Sequence, residues 1–215
     1  MSSAVGDYLK AIWQIAGDAA ASTGDIAREL KVTAPSVTGM LGKLAALGLI
    51  RYQPYRGAEL TPSGREQALR LLRRHRLLET FLIRDLGYGW DEVHDEAEQM
   101  EHTMSERFTE RLAQHLGQPQ FDPHGDPIPR RDGSLPDGPD TPLLDVAIGG
   151  KMVVHRVLTQ DGDVLNYLAG LGIEPGREVR VVGREPLGHL LLLRVGRREV
   201  ALSSELAAAV LGSAG

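Results

Sequence analysis

Between Val93 and His102 the chain reads V-H-D-E-A-E-Q-M-E-H, which sets His94, Glu98, Glu101 and His102 at i, i+4, i+7 and i+8. On a helix these four share one stripe. A second pair, His75 and Glu79, stands at i and i+4 within the helical pattern of Arg65–Leu86. Imidazole and carboxylate are ligands for divalent cations. Carboxylates crowded on one helical face repel each other and raise their own proton affinity, and a bound cation removes that penalty. The sequence contains no cysteine, which excludes disulfides, thiolate catalysis, iron–sulfur ligation and Cys-type zinc knuckles. The plainer reading of Val93–His102 is a solvated acidic helix paired with Arg107 and Arg111. No short helical H-E-x-x-H occurs and no nucleophile or general base stands out, so the chain is not expected to be an enzyme; a metal-dependent hydrolase is the alternative of another class.

The elements that would position these residues come from a chain of 215 residues, 42% hydrophobic and 25% charged, which is globular in composition. Its net charge of -5 conceals an asymmetry: residues 1–76 hold 11 Lys/Arg against 6 Asp/Glu, and the remainder carries the acidic excess. A basic end on an acidic protein suggests a polyanionic partner there. No run reaches the roughly 18–20 apolar residues of a membrane span. The N-terminus lacks the basic and apolar regions of a signal peptide. A cytoplasmic location is therefore expected. Gly117–Pro142, dense in Pro, Gly and Asp, reads as an irregular connector. After it the pattern is mostly strands, at Lys151–Leu158, Arg177–Arg184, His189–Val195 and Glu199–Leu202.

Within the basic end, Val5, Leu9, Ile12 and Ile15 predict a helix over Ala4–Ala16. A short helix over Asp25–Leu30, a tight turn and a longer helix over Ala34–Leu47 follow, with Thr33 as N-cap and Pro35 in the first turn. That is a helix-turn-helix pattern. Val37, Leu41 and Leu44 fall on one face of the second helix. The other face carries Pro35, Ser36, Gly39, Lys43 and Ala46, small or basic residues suited to a DNA groove. Leu49–Tyr55 and Ala58–Thr61 make a hairpin with Arg56 near its tip, completing a winged-helix layout. Thr33, Pro35, Ser36, Thr38, Gly39, Lys43 and Arg56 are the candidate DNA contacts. A protein-binding winged helix would share this layout.

Several stretches resemble the diphtheria toxin repressor family of metal-dependent transcriptional repressors: Arg74-His75-Arg76-Leu77, Val93-His94-Asp95-Glu96-Ala97, Glu101-His102, Met104-Ser105, Leu60-Thr61-Pro62-Ser63-Gly64 and Gly125-Asp126-Pro127-Ile128-Pro129. The resemblance implies a mainly α fold, a winged helix plus a helical dimerisation domain, followed by a small all-β SH3-like barrel. The expected domains are 1–64 (DNA binding), 65–130 (metal binding and dimerisation), a linker at 131–144, and 145–215 (SH3-like). It also implies a homodimer that binds operator DNA when loaded with metal, repressing metal-uptake genes.

Carried over by resemblance, the primary metal site is Asp7, Glu98, Glu101 and His102, and the ancillary site is His75, Glu79 and His94. Iron-responsive members have Met and Cys where Asp7 and Glu98 stand. Oxygen ligands at both positions favour Mn²⁺, with Fe²⁺ as the alternative. Manganese-responsive relatives carry a further Glu three residues after the Asp, where this chain has Lys10, which argues for a primary-plus-ancillary arrangement over a close binuclear one. In the third region Asp161 aligns with an acidic ligand, with Asp163 nearby and Val164 replacing a Gln; an ordinary Asp-Gly-Asp turn is the competing reading. His155 and His189 are read as core or surface residues, and His115 and His124 have no assigned role. Replacing Glu101 or His102 by Ala is expected to abolish metal-dependent DNA binding without loss of the fold.

Overall fold

The computed structural model describes every residue except Met1, Asp91, Gln160, Pro186 and Gly188. Two compact units divide it: residues 1–75, 100–106 and 129–134 form one, and 76–99, 107–128 and 135–215 the other.

In the first unit, α1 (Ser3–Ala16), α2 (Thr23–Glu29) and α3 (Ala34–Ala46) precede the antiparallel hairpin β1 (Ile50–Gln53) and β2 (Gly57–Leu60). The expected helix-turn-helix and wing are present, with α2 starting two residues early because Ser22 caps it by accepting from Asp25 N–H. Thr33 caps α3 as expected. Leu9, Ile12, Ile26, Val37, Leu41 and Leu44 are wholly buried together. At about 1.5–3 kcal/mol for each large side chain buried, this shared core holds the three helices and the wing as one body.

The Leu60–Gly64 motif has a physical reason. Thr61 Oγ1 donates to the Gly48 carbonyl and accepts from Gly64 N–H, starting α4 (Pro62–Leu86) against the end of α3. A Cβ at Gly64 would stand 1.9 Å from the Leu49 carbonyl oxygen, so only glycine fits.

The second unit contains the later part of α4, most of α5 (Val93–Glu101) and α6 (Glu106–His115). Its antiparallel sheet runs in the order β3 (Thr141–Pro142), β8 (Val210–Ala214), β4 (Lys151–Val157), β5 (Glu178–Glu185), β6 (Leu190–Val195), β7 (Arg198–Ser203). The four strands read from the sequence are there, each within a residue or two at its ends. Three features depart from the expected all-β barrel. Helices α7 (Gly162–Leu171) and α8 (Ser204–Ala209) pack Leu165, Leu168 and Ala207 into the sheet core. Strand β8 ends the chain and pairs with both β3 and β4. The order also ends at β3 and β7, with no ladder between those two among the described residues. Residues 141–214 of this unit form a small β-sheet domain with helices. The Ala-rich run of α8 and the Gly of β8 carry no strand alternation, so neither announced itself.

Candidate metal centres and DNA-facing elements

Val5, Tyr8, Leu9 and Ile12 turn one face of α1 into the core and bring Asp7 and Lys10 to a neighbouring face. Glu101 closes α5, and His102 falls in the turn just beyond it. Asp7 Oδ1 lies 2.7 Å from His102 Nε2, and His102 Nε2 is 3.6 Å from Glu101 Oε1. Ligand atoms of Asp7, Glu101 and His102 all lie within 4.8 Å of one another. Glu101 is completely buried. Lys10 Nζ donates to its Oε1 at 2.6 Å, and His75 Nδ1 stands 2.6 Å from its Oε2. Burial pushes the Asp7 carboxyl above its ordinary value, opposed by the nearby His102 and Lys10. Two carboxylates and an imidazole with no sulfur make a hard donor set that fits a divalent cation.

The stripe expected along α5 divides. Glu101 and His102 join Asp7, while Glu98, one turn earlier, sets its Oε1 3.7 Å from His94 Nε2. His94 Nδ1 in turn lies 3.4 Å from Glu79 Oε1, and His75 stands one turn before Glu79 on α4. Glu98 is thus half-exposed beside His94 and does not belong to the three-residue group. Because His102 lies past the end of the helix, it is freed from the α5 stripe and can turn to α1.

A further group forms within the second unit: Glu79, Asp122 and His124, all buried, with ligand atoms within 4.8 Å. Asp122 Oδ1 accepts from the backbone N–H groups of His124 and Asp126, both at 2.9 Å. Its Oδ2 has no hydrogen bond among the described residues and lies 3.4 Å from Arg76 Nε. Burial, reinforced by Glu79 and Asp126, pushes the Asp122 carboxyl well above its ordinary value. Burial also holds the His124 imidazole below its usual value and hence neutral at pH 7. The ring stacks on Trp90 at 5.3 Å, and Nε2 lies 3.5 Å from the Trp90 carbonyl oxygen. If Nε2 carries the proton, Nδ1 keeps its lone pair toward Glu79 Oε2, 3.9 Å away. Arg76 offsets part of the crowding of Glu79 and Asp122, and a divalent ion held by these carboxylates and the neutral imidazole would offset more, so the donor set fits one.

Asp122 and His124 were missed because they lie in the Pro/Gly/Asp run read as a connector. Its first half is a packed loop, with Asp122, His124, Asp126 and Ile128 buried. Gly125 permits this: its φ is +85°, and a Cβ there would meet the His155 carbonyl oxygen at 1.7 Å. The signal available in the sequence was D-P-H-G-D itself, two carboxylates about an imidazole with a turn-forming glycine.

Asp161 Oδ1 accepts from Val164 N–H and caps α7, the arrangement of an ordinary turn. His155 meets Ser213, and His115 meets Asp85. His189 takes a left-handed φ of +48° at the β5–β6 turn. None of these three joins a donor group among the described residues.

Thr33, Pro35, Ser36, Thr38, Gly39 and Lys43 are all exposed on or beside α3, while Val37, Leu41 and Leu44 face the core. Thr38 Oγ1 donates to the Ala34 carbonyl, and the Thr33 and Ser36 hydroxyls are 2.9 Å apart. At the wing, Arg56 is exposed and Tyr55, with φ +66°, projects fully into solvent. No helix of the described residues is long and apolar enough to cross a membrane.

A winged reading head followed by helices that gather carboxylates and imidazoles defines a metal-responsive DNA-binding regulator. Three family models match successive parts of the chain: "Iron dependent repressor, N-terminal DNA binding domain" over residues 1–58, "Iron dependent repressor, metal binding and dimerisation domain" over 61–130, and "FeoA domain" over 141–214. The chain is 32% identical to the iron-dependent repressor IdeR of Mycobacterium leprae, over 94% of each protein. It is 29% identical to the diphtheria toxin repressor of Corynebacterium glutamicum, over 94% of this chain and 92% of that one. Among solved structures it resembles a manganese-dependent transcriptional repressor in complex with manganese (TM-score 0.87, 40% identity, covering 97% of this chain and all of that one). It also resembles ScaR with bound Zn²⁺ (TM-score 0.82, 34% identity, covering 97% and 98%). The chain belongs to the iron-dependent repressor family, also represented by the diphtheria toxin repressor, and is a metal-dependent transcriptional repressor that binds DNA and dimerises.

Proposed function

We propose that this repressor responds to Mn²⁺, acting in the cytoplasm as a regulator without catalytic activity and controlling metal-uptake genes. The observation that carries the reading is the convergence of Asp7, Glu101 and His102, an all-oxygen-and-nitrogen set whose members come from α1 and from the end of α5. Carboxylates in place of sulfur favour Mn²⁺, and the likeness to a repressor solved with manganese supports it. Fe²⁺ takes a similar donor set, and the IdeR relatives are named for iron. Zn²⁺ and Cd²⁺ occupy structures of the similar ScaR.

An ion held by Asp7, Glu101 and His102 would supply positive charge that cross-links the first helix of the reading head to the end of α5. Asp7 would orient α1, and through the shared core α3 with its exposed Thr33, Pro35, Ser36, Thr38, Gly39 and Lys43, while Arg56 on the wing meets phosphate. Ordering the head lowers the cost of binding DNA, and linkage makes operator and metal strengthen each other. Two recognition helices of a dimer would then be spaced for half-sites about 34–36 Å apart or a multiple of it. For a second ion we propose Glu79 as the central ligand, with Asp122 and His124 forming one set around it. His94 and His75 are the further ligands that the resemblance assigns beside Glu79. By resemblance Glu98 is a further ligand of the first ion, and Asp161 is proposed only as the cap of α7. The functional divisions we propose are 1–64, 65–130, a linker at 131–144, and 145–215.

The test is anisotropy of a duplex from the protein's own promoter region, titrated at controlled free Mn²⁺, Fe²⁺, Co²⁺ and Zn²⁺. Activation by Mn²⁺ at the lowest physiological concentration supports the proposal. Equal binding in chelator removes metal control, and activation by Fe²⁺ alone moves the assignment to iron.

A further inference from the structure

The ammonium of Lys10 is almost completely buried, and it donates to an oxygen of a carboxylate that is itself wholly buried. A buried lysine is rare and persists where a partner compensates its charge. Lys10 lies one turn after Asp7 on α1, so both side chains reach toward the end of α5. The oxygen it holds, Glu101 Oε1, is also the one 3.6 Å from His102 Nε2, while Oε2 is engaged by His75 Nδ1 at 2.6 Å. Lys10 therefore sits on the edge of Glu101 that faces the Asp7–His102 pair.

We propose that Lys10 is a built-in cation of the Asp7–Glu101–His102 cluster, which holds Glu101 in place and competes with a divalent ion for Oε1, raising the free metal concentration at which the repressor responds. The inference rests on the reading of that cluster as a metal site. A neutralised Glu101 can stay buried with no metal bound, so the junction of α1 with the end of α5 is kept. A positive charge beside the ion's place opposes a doubly positive ligand, and the opposition is strong because the surroundings exclude water. The same contact that preserves the cluster thus weakens its hold on metal.

Calorimetric Mn²⁺ titration of the full-length protein without DNA, alongside thermal unfolding in chelator and in Mn²⁺, tests this on the wild type, Lys10→Met, Lys10→Gln, Lys10→Arg and His102→Ala. His102→Ala marks which part of the isotherm belongs to this cluster. The two neutral variants are expected to unfold at lower temperature in chelator, to bind Mn²⁺ at the cluster at least roughly tenfold more tightly, and to gain more in melting temperature from Mn²⁺ than the wild type does. Lys10→Arg, which keeps the charge, should retain wild-type affinity. Lys10→Gln carries the comparison should Lys10→Met fail to fold. Unchanged or weaker Mn²⁺ affinity in the neutral variants, with His102→Ala still losing its binding step, overturns the role of Lys10 alone. Identical isotherms for wild type and His102→Ala overturn both the metal reading of the cluster and this inference.

Discussion

Asp7 Oδ1 lies 2.7 Å from His102 Nε2, so a residue in the first helix meets one that follows the end of α5. The pair ties α1 to the turn that follows α5, where ligand atoms of Asp7, Glu101 and His102 converge. Asp7 belongs to the same α1 whose apolar face is shared with α3, so a force on Asp7 is felt by the recognition helix through packing.

Removing either member of that pair should separate metal control from folding. Asp7→Asn and His102→Ala are expected to keep the far-UV circular dichroism of the wild type and to lose Mn²⁺-dependent retention of operator DNA, by at least about tenfold for a lost ligand. Both side chains are partly exposed, which is why the fold should tolerate the changes. Retained activation in both variants would place the controlling ion elsewhere.

Glu101→Ala is a different case, and the expectation that it leaves the fold intact is not supported by its surroundings. It would remove the carboxylate that accepts from the buried ammonium of Lys10 and faces His75. Breaking a buried ion pair from one side costs about 3–5 kcal/mol, so urea denaturation in chelator should show a loss of that order. A double variant, Glu101→Ala with Lys10→Met, should recover part of it. Full additivity of the two single losses would mean that the contact contributes little.

Gly125→Ala should disturb the second cluster without touching any ligand. The strained φ and the collision with the His155 carbonyl together predict a loss of at least about 2 kcal/mol. The 122–128 loop would be displaced, moving His124 off Trp90. In a Trp13→Phe background Trp90 emission then serves as the readout, responding to Mn²⁺ with Gly125 in place and not in the Gly125→Ala variant. An unaltered response would show that the loop does not hold the ion.

Lys43→Ala concerns the DNA face alone. Lys43 is exposed on α3, away from the core face of Val37, Leu41 and Leu44. Operator affinity should fall, and if the contact is to phosphate the salt dependence should decrease by about one unit of slope. Metal affinity measured without DNA should be unchanged. A shift there would give Lys43 a role in the metal-linked core instead.

The sequence by itself determined the reading head and most of the strands. Thr33 with Pro35, the Val37–Leu41–Leu44 stripe and the Thr61–Gly64 start of α4 are local devices, and local hydrogen bonds and periodicity are written in neighbouring residues. It also placed carboxylates and imidazoles on α4 and α5. Only the tertiary structure decided how they group. Glu98 and Glu101 are three residues apart, yet one meets His94 and the other is buried against Lys10 and His75. His124 and Asp122, which looked like connector, are folded inward beside Glu79. Ligand sets of this kind depend on contacts between distant segments, and the energy of burying a charge depends on every neighbour it acquires there. Spacing along the chain records none of those neighbours.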